Sequence, residues 1–244
     1  MPSESQVRIF ATTRELFHAA AETFCRVGSL AIRERGKFTV ALSGGSTPRG
    51  LYQELVANFS SQLLWENVFF FWGDERHVPP DDSESNYRMA NESLLSKLPI
   101  PADHVFRIQS ERPDAGEAAQ AYEQTLRDFF RSAPGSFPRL DLVLLGMGPD
   151  GHTASLFPGT TALEERRHFV VANWVEKFST FRITLTFPVL NHAACMMFLV
   201  SGSDKAEMVR TAFTDPGANL PCQRIRPDDG ELIWFLDQAA AASL

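Results

Sequence analysis

LDLVLLGMGPDGHTASLFPG, residues 140–159, carries the reading of the fold. Apart from Asp141, its first six residues are apolar and branched, and they predict a strand at 140–145 buried on both faces. The next six, GMGPDG at 146–151, match the GxGxxG pattern of dinucleotide-binding loops. In such a loop a helix must follow at once to receive the pyrophosphate on its N-terminus. Here His152-Thr153-Ala154-Ser155-Leu156-Phe157 runs into Pro158 and Gly159, which leave little room for that helix. The glycines fit better a backbone that passes close to a ligand. The stretch therefore reads as a buried strand feeding a binding loop of an α/β sheet, and the dinucleotide match is a decoy.

Working outward, further short apolar runs predict strands at 38–42, 68–72, 168–172, 181–187 and 195–200. Helices fit between them at about 13–34, 48–58, 85–96, 114–131 and 203–214. This alternation predicts one α/β domain over residues 1–244, a mostly parallel sheet with helices on its faces. Residues 131–139, RSAPGSFPR, read as a connector, and the Ala-rich tail at 238–243 is expected to fray. Loops leaving the C-terminal ends of such strands gather at one edge of the sheet, where ligands bind. Three unusual loops follow three of the strands, so one composite site is expected.

Composition narrows what that site holds. The 244 residues are 44% hydrophobic and 22% charged, a globular balance, with a formal net charge of −7. An acidic chain argues against spreading over nucleic acid, yet a few convergent cations can still hold one small anion. The N-terminus MPSESQVRIF has no basic start and apolar run of a leader, and no stretch approaches the roughly 18 apolar residues of a membrane span. Cys25, Cys195 and Cys222 form neither a disulfide framework nor a zinc-ligand set, and a reducing cytoplasm is the expected compartment.

The loop after 38–42, Ser43-Gly44-Gly45-Ser46-Thr47-Pro48, sets glycines and hydroxyls between a strand and a helix. Thr47 is expected to cap that helix with Pro48 at its first position, so that free amides and the helix dipole point at a phosphate. No Gly-Lys-Ser/Thr follows, which excludes a Walker A loop. The loop after 68–72 carries Asp74, Glu75 and Arg76; the arginine's fork of donors suits a phosphate or a developing oxyanion, and Asp74 could orient a hydroxyl. In the third loop His152 can take a proton from water, and Asp150, two residues earlier, can fix its tautomer.

Together these loops resemble the 6-phosphogluconolactonase family. The matching segments are ALSGGSTPRGLY (41–52), FFWGDERHVPPDDSESNY (70–87), the 140–159 stretch itself, RITLTFPVLNHA (182–193) and LVSGSDKAEMV (199–209). The resemblance implies a three-layer, Rossmann-like α/β fold of the glucosamine-6-phosphate deaminase/lactonase type. It also implies hydrolysis of 6-phospho-D-glucono-1,5-lactone to 6-phosphogluconate, in the oxidative pentose phosphate pathway. His152 is then the expected general base, with Arg76 on the oxyanion or the substrate and Asp74 and Asp150 positioning. The phosphate is expected on Ser43, Gly44, Gly45, Ser46 and Thr47, with charge from Arg182 and Lys205. No metal or organic cofactor is expected, because a lactone is already a reactive ester, and the only implied partner is the small phosphosugar, bound to a monomer or small homo-oligomer. Related deaminases share much of this pattern but carry Asp-Glu-Tyr in place of Asp74-Glu75-Arg76. They also carry a relay carboxylate where this chain has Phe157, which cannot shuttle protons. An amino-sugar-phosphate isomerase-deaminase and a non-catalytic sugar-phosphate sensor are the alternatives. The chain departs from the lactonase pattern at Pro149 and at Lys177-Phe178-Ser179-Thr180.

Overall fold

A computed structural model describes residues 5–133 and 135–244. Residues 1–4, part of the stretch read for a leader, and Pro134 of the 131–139 connector lie outside them. A six-stranded sheet is made of β1 (Gln6–Phe10), β2 (Phe38–Leu42), β3 (Val68–Trp72), β5 (Leu142–Leu145), β8 (Cys195–Val200) and β9 (Glu231–Asp237). The order is β1-β9-β8-β5-β2-β3, and every neighbouring pair is parallel. Helices α1 (Thr13–Arg35), α2 (Ser46–Asn58), α3 (Asn86–Ser93), α4 (Ala115–Phe130), α5 (Phe187–Asn191) and α6 (Ala206–Thr214) complete the alternation.

The central strands form where the sequence is apolar on both pleat faces. All five residues of β2, all four of β5 and all six of β8 are buried. α1 starts at a capping box in which Thr12 and Glu15 satisfy each other's backbone amides, and it ends at Gly36 in the left-handed region. Asp141 ties β2 to the start of β5, accepting from the amide and hydroxyl of Thr39 at 2.8 Å each and from Arg35 at 2.8 Å. The three cysteines are free and buried, and burial pushes their thiols up to about 12. Among the described residues no helix is long and apolar enough to cross a membrane.

Four expectations change. The strands expected at 168–172 and 181–187 leave the parallel sheet: β6 (Val170–Val175) and β7 (Thr180–Leu185) pair antiparallel in a second sheet, ordered β4-β7-β6, whose third member is β4 (Asp74–Arg76). The main sheet is completed instead by the polar-flanked β1 and by β9, where Trp234 stacks on Phe198 at 3.8 Å. α2 begins at Ser46, with Gly45 as its N-cap at φ 108° and no side-chain cap. Thr47 therefore lies inside the first turn, because a glycine can turn the chain into the helix without a hydroxyl cap. Pro48 stands third in the helix, still among the amides that need no intrahelical partner. Lastly, the C-terminal tail is docked: Ala240 is fully buried and its amide donates to Asp237, while Gln238 donates to Phe10.

Candidate active site

The loops after β2, β3 and β5 converge, and the second sheet closes the space between them. The resulting cavity of about 300 Å³ is lined by Ser43, Gly44, Gly45, Asp74, Arg76, His152, Arg182 and Lys205, among others. Eight of the eleven residues singled out in the sequence thus line one cavity. Ser46 and Thr47 do not line it: the Thr47 hydroxyl lies 2.9 Å from that of Ser201. Asp150 sits behind His152 rather than on the cavity.

The imidazole is held on two sides. Its Nδ1 bonds the Asp150 carboxylate, and its ring stacks on Phe157 with centroids 4.0 Å apart. That carboxylate favours the tautomer with the proton on Nδ1, leaving Nε2 as the acceptor. Burial lowers the His152 pKa below the ordinary histidine value, against the opposing pull of Asp150 and Asp74. Burial acts on Asp150 in the opposite sense, but hydrogen bonds and charge from His152 outweigh it and hold that carboxyl low. Gly148 makes this packing possible, since a Cβ there would stand 2.0 Å from the imidazole. No α-helix follows this loop before β6, so the GxGxxG match has no helix N-terminus to offer a pyrophosphate.

Charge enters from the second sheet. Arg76 and Arg182 are cross-strand partners on β4 and β7. Arg76 donates to the Glu84 carbonyl at 2.6 Å, and Arg182 lies over the Phe178 ring at 5.2 Å. The Nε of each guanidinium is buried with no partner among the described residues. Burial first, and then the neighbouring Arg76, lower the Arg182 pKa. Two neighbouring, mutually repelling guanidinium groups with unfilled donors suit anionic oxygens of a ligand. Lys205, 3.1 Å from Asp204, adds a third positive group to the cavity wall.

On the other side, the Ser43–Gly45 turn is pinned by Tyr52, which donates to the Ser43 carbonyl at 2.8 Å and accepts from its amide at 3.0 Å. With α2 starting at Ser46, the amides of its first turn and the positive end of its dipole lie at this turn. Asp74 is buried and accepts from Ser155 at 2.6 Å, so Ser155 serves as a donor to a carboxylate. Glu75 is turned inward, where it accepts from the amides of Arg76, Asn86 and Tyr87 and holds α3 in place; burial raises its pKa.

Several contributors were not visible from sequence. Asn86 lies in the quoted SESNY segment, but nothing in its spacing marks it. Lys177 reaches Asp150 at 3.6 Å, and Phe178 packs edge-on against Phe157, both from the turn between β6 and β7. Their signal was the departure from the family pattern at that turn. Among the described residues no group of three His, Cys, Asp or Glu side chains is placed to hold a metal ion.

A family profile described as glucosamine-6-phosphate isomerases/6-phosphogluconolactonase matches residues 11–234. A 6-phosphogluconolactonase of Nostoc sp. is 44% identical over 216 residues, 88% of each chain, and one of Synechocystis sp. is 42% identical over 217 residues, again 88% of each. A solved 6-phosphogluconolactonase from Trypanosoma cruzi superposes with a TM-score of 0.89 at 31% identity, covering 100% of this chain and 98% of that one. A monomeric glucosamine-6-phosphate deaminase superposes at 0.80 with 22% identity, covering 98% of this chain and 100% of that one, a likeness of fold alone.

Proposed function

Because the chain belongs to the family of glucosamine-6-phosphate isomerases and 6-phosphogluconolactonases, we propose that it is a 6-phosphogluconolactonase, opening 6-phospho-D-glucono-1,5-lactone to 6-phosphogluconate. His152 acts as the general base. Its Nε2 takes a proton from a water that attacks C1, the carbonyl becomes a tetrahedral oxyanion, and the bond from C1 to the ring oxygen then breaks. The imidazolium returns its proton to the departing ring oxygen, leaving a carboxylic acid and a free hydroxyl. Asp150 fixes the tautomer and stabilises the transient imidazolium, and burial keeps the resting ring neutral and ready to accept.

Arg76 faces the developing oxyanion, and Arg182 and Lys205 hold the 6-phosphate against the Ser43–Gly45 turn at the N-terminus of α2. Asp74, kept in place by Ser155 and Asn86, orients a sugar hydroxyl.

One observation carries the choice of lactonase over deaminase. Phe157 lies flat against His152, where a proton relay would need a carboxylate. A hydrocarbon face dries the imidazole and transfers nothing, which suits a single base working on water.

The test is a pH-stat assay with freshly made lactone, corrected for spontaneous hydrolysis, run beside an assay for ammonia release from glucosamine 6-phosphate. Acid production above background without ammonia is expected. Ammonia release would replace the reading with the isomerase-deaminase, and silence in both would leave a sugar-phosphate sensor.

A further inference from the structure

Asn86 opens α3, is only 3% exposed, and still lines the cavity. Its position is over-determined. The Asn86 and Tyr87 amides donate to the Glu75 carboxylate at 2.8 Å each, and Ser85, the N-cap, donates to that carboxylate at 3.1 Å. The side-chain nitrogen is committed as well: Nδ2 donates to the Asp74 carbonyl at 2.9 Å and lies 3.4 Å from Asp74 Oδ1. Two acceptors on that side fix which end of the amide is the nitrogen.

Oδ1 consequently points the other way, onto Gly44, where a Cβ would stand 1.8 Å from it. Gly44 lines the same cavity, and among the described residues the Asn86 side chain hydrogen-bonds only through Nδ2. Nor is Oδ1 one of the side-chain atoms sealed away without a partner, so it keeps access to the cavity. A rigid amide whose donor is spent and whose acceptor is open recognises a hydrogen-bond donor. A ring hydroxyl supplies one, while the substrate's phosphate does not.

We propose that Asn86 is a specificity-determining residue of this site, its Oδ1 accepting a hydrogen bond from one ring hydroxyl of the sugar lactone. The inference rests on the lactonase reading. It assigns the two neighbours complementary tasks: Asp74 reads with a charged oxygen and Asn86 with a neutral one, on a shared hydrogen-bond frame. A lactone lacking the recognised hydroxyl would strand Oδ1 without a partner, and sites built this way reject such analogues strongly.

The experiment measures kcat/KM of the wild type and of Asn86→Ala on 6-phosphogluconolactone and on its 2-, 3- and 4-deoxy analogues. In the wild type one analogue should be about tenfold or more worse than the parent. Asn86→Ala should lose a comparable factor on the parent and nothing further on that one analogue, while the other two deletions cost the same in both proteins. A merely structural role for Asn86 would scale all four substrates equally, and that result would overturn the proposal. If Asn86→Ala does not fold, as judged by thermal unfolding, Asn86→Ser carries the same cycle. Absence of wild-type turnover on the parent lactone is a different failure, which removes the lactonase reading and the proposal with it.

Discussion

The parallel sheet and the small antiparallel sheet supply different things to one cavity. From the parallel sheet come glycine-rich loops, with backbone amides, a close-packed imidazole and few side-chain charges: Ser43, Gly44, Gly45, Gly148 and His152 all follow β2 or β5. From the antiparallel sheet come Asp74, Arg76 and Arg182, carried on paired strands whose register sets the two guanidinium groups side by side. Loops let the backbone approach a ligand closely. Strands fix the spacing of long charged side chains, so the site combines a contoured floor with a rigid charged wall.

The contrast can be broken from either side. The largest effect is expected on the floor. Gly148→Ala drives a methyl into the imidazole and should lower kcat by about 100-fold, since ångström-scale displacement of a catalytic group costs that much. Its thermal stability and product affinity should change far less, and steady-state kinetics beside a melting curve checks both. On the wall, Arg182→Ala removes one charge-assisted contact and should cost about 10- to 100-fold in kcat/KM, mostly through KM. A loss confined to kcat would instead put Arg182 on the reacting carbonyl.

Thr47→Val keeps the backbone amide and removes only a hydroxyl turned toward Ser201, so kcat/KM should move by less than about threefold. The subtlest effect is electrostatic. The folded-state pKa of His152 lies below its unfolded value of 6.5, so the stability linked to burying it neutral is present above 6.5 and is lost as pH falls through the folded pKa. An NMR titration of the imidazole, identified by its disappearance in Asn- or Ala-substituted protein at this position, should give a midpoint below 6.5.

The same contrast explains what could be read in advance. β2, β3 and β8 were legible to the residue because each is a run of apolar side chains buried by helices. The loops after β2, β3 and β5 were legible because glycine, histidine and charge clusters at strand ends are costly unless a ligand needs them. β4 was not, since Asp74-Glu75-Arg76 has no strand propensity and becomes a strand only by pairing with β7. β6 and β7 carried strand signals, but nothing local tells an antiparallel hairpin from two members of a parallel sheet. β1 carries little strand signal because its residues are largely exposed, whereas the run ELIWFLD of β9 is apolar enough to mark a buried strand. Asn86 was invisible for another reason: its importance lies in contacts with Glu75, Asp74 and Gly44 that only the folded chain creates.

The central claim is that His152 is the base that drives the chemistry, while the groups around it bind the substrate and steady its oxyanion. Measuring kcat for lactone hydrolysis and the affinity for 6-phosphogluconate in His152→Ala tests it most directly. A fall in kcat of about 10²- to 10⁴-fold with product affinity nearly unchanged is the predicted result. Near-normal turnover would contradict the account.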